Sequence, residues 1–225
     1  MPRQPSRPRR RSYDQYCAAA RALDAVGDRW TLLIVRELLA GPRRYTDLHA
    51  DLPGVSTDML AGRLKDMERD ELVTRRRLAP PVSAYVYELT ERGRALLPVL
   101  RALAEFGAPE LGEPRPTDAV RAHWFAIPLL RALEAGAGRV VQVTLDEGEF
   151  HVRLGGGGVA PGYGDGPAAD ADAHLRTDAA TARALASGEL TLEEAVAAGR
   201  AELMEVEELA ELAERTAPEA TLQVT

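Results

Sequence analysis

The strongest constraint on this chain is a pair of short amphipathic helical patterns joined by a turn of only three residues. The first pattern covers about residues 45–52, and the Pro-Gly-Val sequence at 53–55 favours a tight turn. Ser56 is a good N-cap for the second pattern, whose inward face carries Leu60, Leu64 and Met67. Because a turn this short fixes the angle between two helices, the segment predicts a helix-turn-helix.

Two further helices are expected before this pair. The first covers about residues 16–26, with Gly27 placed to end it. Asp28 can cap the second, which ends at Gly41-Pro42. Each has one apolar face, formed by Tyr16, Ala19, Ala20, Leu23 and Val26 in the first and by Trp30, Leu33, Ile34 and Leu38 in the second.

A hairpin and a fifth helix are expected after the pair. Residues 73–77 and 84–89 are interpreted as two strands on either side of a proline-containing turn, and Thr90 can cap a helix that reaches Phe106 with a kink at Pro98. This order predicts a winged helix-turn-helix, in which the fourth helix can lie in a DNA major groove, the third braces it and the hairpin reaches the flanking backbone.

The residues expected to face double-stranded DNA lie on the fourth helix, ahead of the third helix and along the hairpin. Guanidinium groups match phosphate geometry, and a helix N-terminus adds a partial positive charge. A solvated charged face is the alternative for any one of them, but their grouping on one surface favours DNA. The candidate DNA-binding residues are Arg43, Arg44, Ser56, Thr57, Asp58, Ala61, Gly62, Arg63, Lys65, Arg75, Arg76 and Arg77.

Charge is divided unevenly along the chain. Residues 1–107 carry 19 Lys+Arg and 14 Asp+Glu, whereas residues 108–225 carry 9 and 21, so +5 and −12 make up the total of −7. Such an asymmetry suggests that only the first half meets a polyanion. The sign changes at prolines that interrupt regular structure. We expect a disordered basic arm at 1–12, the winged domain at 13–107, a linker at 108–116 and a second domain at 117–225.

Five motifs then follow one another in a recognisable order and spacing. They are Cys17 followed by Ala22-Leu-Asp-Ala-Val-Gly-Asp-Arg-Trp-Thr-Leu-Leu-Ile-Val-Arg-Glu-Leu38, then Gly41-Pro-Arg-Arg-Tyr-Thr-Asp-Leu48, Leu52-Pro-Gly-Val-Ser-Thr57, Leu60 with Arg63-Leu-Lys65, and Tyr87-Glu-Leu-Thr-Glu-Arg-Gly-Arg-Ala-Leu96. Over about residues 13–107 the chain resembles the HxlR-type transcriptional regulators. The resemblance implies a homodimeric bacterial regulator of a roughly palindromic operator, with the first and fifth helices forming the dimer interface.

Two features depart from the pattern of that family. Glu71 stands where a glycine often precedes Leu-Val, so the exit of the fourth helix is expected to differ. Asp58 and Gly62 occupy base-facing positions that commonly carry longer hydrogen-bonding side chains. Asp58 would repel phosphate unless it accepts from a cytosine amine, so the operator sequence cannot be taken from relatives.

The second half predicts an α+β domain. An amphipathic helix is expected from Thr117, a hairpin over 139–145 and 149–154, a strand at 172–176, and helices from Thr177, Thr191 and about Val206. The pattern Leu175-Arg-Thr-Asp178, Leu185-Ala-Ser-Gly188, Leu192, Ala195 and Gly199 is similar to sterol-carrier-protein-like domains. That resemblance implies a pocket for a small hydrophobic effector, with Trp124, Phe125 and Phe150 as candidate lining residues; the alternative is that all three are core.

Cys17 is the only cysteine, which excludes an internal disulfide framework and a multi-cysteine zinc site. Some relatives place a thiol sensor of oxidants or electrophiles at this helix start, where thiolate is favoured. The alternative for Cys17 is a small residue at a dimer contact. The four histidines lack metal-ligand spacing, so no metal is expected.

No catalytic constellation or cofactor motif is present, so the sequence does not predict an enzyme or a cofactor. No apolar run approaches the ~20 residues needed to cross a bilayer, and a cytoplasmic protein without membrane contact is expected. The leading hypothesis is a DNA-binding regulator controlled by a ligand in the second domain. The alternatives are a redox regulator acting through Cys17 and a lipid carrier or enzyme in which the second domain is primary.

Overall fold

The structure, a computed structural model, describes residues 12–112, 114–133 and 136–206. Backbone contacts divide the chain into two compact units, Met1–Leu96 and Leu97–Thr225. The basic arm expected at 1–12 lies outside the described residues, except for Ser12. The helix expected from about Val206 lies outside them as well, beyond Val206 itself.

The first unit has the winged helix-turn-helix order that the sequence predicts. Its elements are α1 (Ala18–Val26), α2 (Thr31–Leu39), α3 (Tyr45–Asp51), α4 (Thr57–Arg69), β1 (Val73–Arg77), β2 (Tyr85–Leu89) and α5 (Glu91–Arg94). The two strands are antiparallel, with Val73 opposite Leu89 and Arg77 opposite Tyr85. Ser56 caps α4 as expected, because its hydroxyl accepts from the Met59 N–H at 3.3 Å.

The apolar face of α4 forms part of the core of the first unit, as predicted. Leu60, Leu64 and Met67 are all at most 1% exposed. Ile34 of α2 and Leu48 of α3 are fully buried with them. Burial of this face determines which side of α4 stays in solvent.

The turn from β2 into α5 depends on Thr90 and Gly93. The Thr90 hydroxyl accepts from the Gly93 N–H at 3.1 Å and donates to the Glu71 carbonyl at 2.6 Å. A Cβ on Gly93 would overlap the carbonyl oxygen of Leu72, so the close approach of these two backbones requires glycine. The glycine in the motif at residues 87–96 is thus explained by its close packing against the backbone of Leu72.

Glu71 keeps the conformation that glycine favours after α4. Its φ is 58°, in the left-handed region that non-glycine residues adopt at a cost of roughly 1–2 kcal/mol. Its carbonyl accepts the Thr90 hydroxyl in this conformation. The helix exit therefore retains a left-handed residue although the sequence has no glycine there.

The helix α1 is more exposed than its apolar spacing predicts. Ala20 and Val26 are buried, but Leu23 is 50% exposed and Tyr16, which precedes the helix, is fully exposed. Within the first unit, only part of the apolar face of α1 thus packs against the core. The remaining apolar surface is free to pack against another molecule.

The fifth helix expected from Thr90 to Phe106 is instead two helices. The second of them, α6 (Leu97–Gly107), has Pro98 in its first turn, where a missing N–H breaks no helical hydrogen bond. It packs against α7 (Ala126–Ala132) and groups with the second unit. The units therefore divide before α6, whereas the sequence places the linker at 108–116.

The further elements of the second unit are β3 (Val140–Leu145), β4 (Gly148–Arg153), β5 (Gly162–Asp165), β6 (Ala173–Thr177), α8 (Ala179–Ser187), α9 (Leu192–Ala197) and β7 (Ala201–Glu205). The strands form a five-stranded mixed sheet with the order β5-β4-β3-β6-β7. Only the β3–β6 pair is parallel among these neighbours. One buried row crosses the sheet through Phe150, Val143 and Leu175, which are register partners.

Several elements of the second unit differ from the prediction. The helix expected from Thr117 begins only as a 3-10 turn at Ala122–Phe125, followed by α7. A helix from Thr117 would have Pro128 in its interior, whereas α7 has it in the first turn. Strands β5 and β7 are absent from the sequence-based prediction, and Asp178 rather than Thr177 is the N-cap of α8.

None of the helices among the described residues has the length and apolar character needed to span a membrane.

Two glycines of the first unit should respond oppositely to replacement by alanine. Gly93→Ala should lower the free energy of unfolding by about 1–3 kcal/mol, because the added methyl overlaps Leu72. Gly62→Ala should raise it by about 1 kcal/mol, because its Cβ meets no atom within 4 Å and alanine is the better helix former. Urea unfolding measures both, and equal effects would contradict the packing described here.

Candidate nucleic-acid interface

Two contacts hold α4 against its neighbours. The Tyr45 hydroxyl, at the start of α3, donates to the Thr57 carbonyl, at the start of α4, at 2.7 Å. A guanidinium nitrogen of Arg63, in the middle of α4, lies 2.7 Å from a carboxylate oxygen of Asp28. Asp28 also accepts from the Trp30 N–H at 2.9 Å. The turn before α2 is therefore tied directly to α4.

Arg63 is a brace in this arrangement, although the sequence groups it with the DNA-binding candidates. It also lies 3.4 Å from Asp66, and its side chain is only 25% exposed. Both of its carboxylate partners belong to the first unit. Arg63 thus positions α4, and its charge is already paired.

The outer face of α4 is exposed and has two small residues near its middle. Its exposed residues at the predicted positions are Thr57, Asp58, Ala61, Gly62 and Lys65. Ala61 and Gly62 add little or no side chain, so another surface can approach the helix backbone closely there. Lys65 is the only lysine in the sequence, and it has no hydrogen bond or ion pair within the part of the chain that the structure describes.

The three arginines of β1 have different surroundings. The Arg75 guanidinium lies 4.0 Å from the centroid of the Tyr85 ring, a cation–π contact. Arg76 points to the other face of the hairpin and pairs with Glu88 at 3.2 Å. Arg77 is exposed and has no such partner among the described residues. Arg77 is therefore the most available of the three to a phosphate.

Arg43 connects the loop before α3 to the hairpin through its backbone. Its N–H donates to the Tyr87 carbonyl at 3.0 Å, and its carbonyl accepts from the Tyr87 N–H at 2.8 Å. Burial raises the pKa of the Tyr87 phenol, so this side chain stays neutral beside the arginines. Arg44 is exposed at the N-cap of α3. Arg43 and Arg44 are thus tied to the hairpin that carries Arg75, Arg76 and Arg77.

These residues suit a DNA duplex better than a small ligand. An exposed helix face without bulky side chains can enter a major groove, and a hairpin with arginines can contact phosphates beside it. Ser56 keeps the N-terminus of α4 capped and exposed, which adds a partial positive charge at the same surface. The fold and this surface define a winged helix-turn-helix DNA-binding protein.

Comparisons with known proteins identify the family to which this DNA-binding protein belongs. Residues 25–114 match the model of the HxlR-like helix-turn-helix family. The HTH-type transcriptional regulator YodB of Bacillus subtilis is 36% identical over 96 residues, which are 43% of this chain and 85% of YodB. YvaP of the same organism is 35% identical over 86 residues, which are 38% of this chain and 80% of that protein. The chain belongs to the HxlR-like family and is a transcriptional regulator of that type.

Solved structures of YodB include a reduced and a quinone-bound form. The reduced form is 34% identical to this chain and covers 45% of it and 99% of the YodB chain, with a TM-score of 0.38. The relatives are named as transcriptional regulators. The family model ends at residue 114, so most of the second unit lies outside the matched region.

The three aromatic candidates of the second unit do not lie together at its cavity. Phe150 is fully buried in the sheet, whereas Trp124 and Phe125 are half-buried in the 3-10 turn before α7. A cavity of about 300 Å³ is lined instead by Arg101, Leu130, Leu154, Gly155 and Pro161. The sequence signal for these residues is weak, because only the fold brings α6, α7 and the loop after β4 together.

Cys17 is exposed at the N-cap of α1. Among the residues that the structure describes, no three His, Cys, Asp or Glu side chains are grouped so that they could hold a metal ion.

The Tyr45 contact gives a direct test of how α4 is held. Tyr45→Phe should lower the free energy of unfolding by about 0.5–1.5 kcal/mol, because the Thr57 carbonyl loses its donor. Tyr85→Phe is the matched control, since the ring against Arg75 is kept and unfolding should be unchanged. Urea denaturation compares the two, and an equal loss in both variants would argue against the brace.

Proposed function

We propose that this chain binds operator DNA as a homodimer in the bacterial cytoplasm and that a small ligand in its second unit controls this binding. The observation that carries the proposal is α4, which is buried along one face and exposes Thr57, Asp58 and Lys65 on the other. With Arg77 available on the hairpin, the first unit can contact bases and flanking phosphates together.

Exposed apolar side chains on two helices support dimer formation. On α1 and just before it, Leu23 is 50% and Tyr16 fully exposed; on α6, Leu103 is 46% and Phe106 is 85% exposed. These are the helices that the family resemblance assigns to the dimer interface. A dimer would present two copies of α4 to half-sites about one helical turn of DNA apart.

The second unit supports control by a ligand. Helices and a five-stranded sheet enclose an apolar core in it, and it also contains a cavity of about 300 Å³. The proposal follows the resemblance of this part of the sequence to sterol-carrier-like domains. A ligand there can change DNA binding only if it binds one conformation of the dimer more tightly than another.

Regulation through Cys17 is the second candidate. The thiol is exposed at the N-cap of α1. YodB, the relative that is 36% identical, is also known in a quinone-bound form. An oxidant or electrophile that modifies Cys17 would alter the apolar surface of α1 that we assign to the dimer.

Measurements of DNA affinity on substituted proteins can distinguish base contacts from phosphate contacts. Duplexes selected by the full chain from a random pool should be compared with scrambled duplexes by fluorescence anisotropy. Arg77→Gln should weaken both alike and lower the salt slope by about 0.9 for each lost phosphate contact. Lys65→Gln should weaken the selected duplex more, with a base contact worth about 1–3 kcal/mol.

Two further variants serve as comparisons in the same titrations. Arg76→Gln should cost less than Arg77→Gln, because Arg76 already pairs with Glu88. Arg176→Gln changes an exposed arginine of the second unit and should leave the affinity unchanged. If Lys65→Gln weakened both duplexes by one factor, base contact by Lys65 would be ruled out.

One substitution at Cys17 tests the alternative that the protein is a redox regulator. Cys17→Ser should leave the response of DNA binding to diamide and to quinones unchanged if the ligand is the signal. It should abolish that response if Cys17 is the sensor, because serine cannot form the thiolate or a disulfide. Anisotropy with and without oxidant, on reduced protein, distinguishes the two.

A further inference from the structure

We propose that Met59 determines part of the base specificity of α4 by contacting the methyl group of a thymine in the major groove. The inference rests on the function proposed above, because it names one base feature that α4 would recognise. It concerns the first unit alone, and it adds a residue that the sequence-based candidates do not include.

Met59 is an exposed apolar side chain on a helix whose other large apolar side chains are buried. It is 52% exposed, whereas Leu60, Leu64 and Met67 are at most 1% exposed. Apolar surface in water is unfavourable, so burial of this side chain against another molecule would contribute binding free energy. Thioether side chains also adapt their shape readily to a partner surface, because they are unbranched and have three rotatable bonds.

The start of α4 does not require an apolar side chain at position 59. The hydrophobic contact that often accompanies an N-cap joins the residue before the cap to the fourth residue of the helix. With Ser56 as the cap, these residues are Val55 and Leu60, which are 6% and 0% exposed. Met59 contributes its backbone N–H, which donates to the Ser56 hydroxyl. Its side chain is therefore left for a different role.

The position of Met59 is one from which a helix in a major groove reaches base edges. In helix-turn-helix proteins these contacts come from the N-terminal part of the second helix, and Met59 is the third residue of α4. Gly62 lies one turn further along the same side of the helix, and a Cβ there would meet no atom within 4 Å. The lack of a side chain at Gly62 thus lets a base edge come close beside the methionine.

The charged side chains next to Met59 are paired within the first unit. Arg63, one turn along, lies 2.7 Å from Asp28 and 3.4 Å from Asp66. Asp66, two turns along, also lies 2.8 Å from Arg69. Along this edge of α4 the charges thus serve the packing of the helix, and Met59 supplies an apolar contact. Of the groups that base pairs present in the major groove, the thymine methyl is the apolar one, so it is the feature that this edge fits.

The expected effect is that of one buried methyl group. Such a group is worth about fourfold in affinity. A homodimer on a palindromic operator would make the contact twice, so loss of both methyls should cost about fifteenfold. Because phosphate contacts supply much of the total affinity, removal of the methyls should change the preferred sequence without abolishing binding.

Fluorescence anisotropy of the full chain on duplexes selected from a random pool tests the contact. Deoxyuridine replaces each thymidine in turn, which removes the methyl and keeps the base-pairing groups. At one thymine of the half-site the unaltered protein should lose about fourfold in affinity. Met59→Ala should bind the thymine and uracil duplexes equally, and Met59→Leu should keep most of the difference. Val196→Ala, which changes an exposed apolar residue of α9, should keep all of it.

A bromine atom is close in size to a methyl group, so 5-bromouracil at the same position should restore the affinity of the unaltered protein. The proposal is overturned if no thymine shows the loss, or if Met59→Ala loses as much as the unaltered protein, because the effect would then belong to the duplex. Binding that depends on Lys65 but on no thymine methyl removes the role of Met59 alone. A chain that selects no duplex removes the DNA-binding function and this contact together.

Discussion

The ion pair between Arg63 and Asp28 joins α4 to a turn 35 residues earlier in the chain. It acts with the burial of Leu60, Leu64 and Met67, which fixes the rotation of α4 about its own axis. The hydrogen bond from Tyr45 fixes its first turn. Because these contacts fix the position and rotation of α4, they also determine which of its residues face outward. The exposed surface of α4, which we propose to face DNA, is therefore a consequence of packing inside the first unit.

Most of the first unit could be predicted from the sequence because its signals are local. The N-cap at Ser56, the turn at 53–55 and the spacing of Leu60, Leu64 and Met67 specify helices without reference to the rest of the chain. The break before Pro98 cannot be predicted in the same way, since a proline is compatible with either a kink within a helix or the first turn of a new one. Strands β5 and β7 gave little signal. Two of the four residues of β5 are Gly162 and Gly164, and glycine is rare in strands. The edge strand β7 contains two glutamates and, among the described strands, pairs only with β6, so its sequence pattern is weak.

The candidate site shows the same division between local and distant information. The sequence identifies the outer residues of α4, because helical periodicity alone separates them from the core. It cannot show that Arg63 and Arg76 are already paired, since Asp28 and Glu88 reach them only in the folded chain. It also favours Trp124, Phe125 and Phe150 for the pocket because they are large and apolar. The cavity is lined by a proline, a glycine and an arginine as well as leucines, and such residues carry no periodic signal.

Lys65 is the sole side-chain amine of the molecule, and it lies on the exposed face of α4 for which we propose contact with the major groove. A chain that takes 27 of its 28 basic residues from arginine therefore concentrates all of its lysine chemistry at one point. Acylation of Lys65 would cancel a positive charge on the proposed DNA-binding face and leave every arginine untouched. Apart from the α-amine of the chain, Lys65 is the only amine that an amine-directed fluorophore could label, so protection of Lys65 from labelling would report whether a bound duplex covers this face.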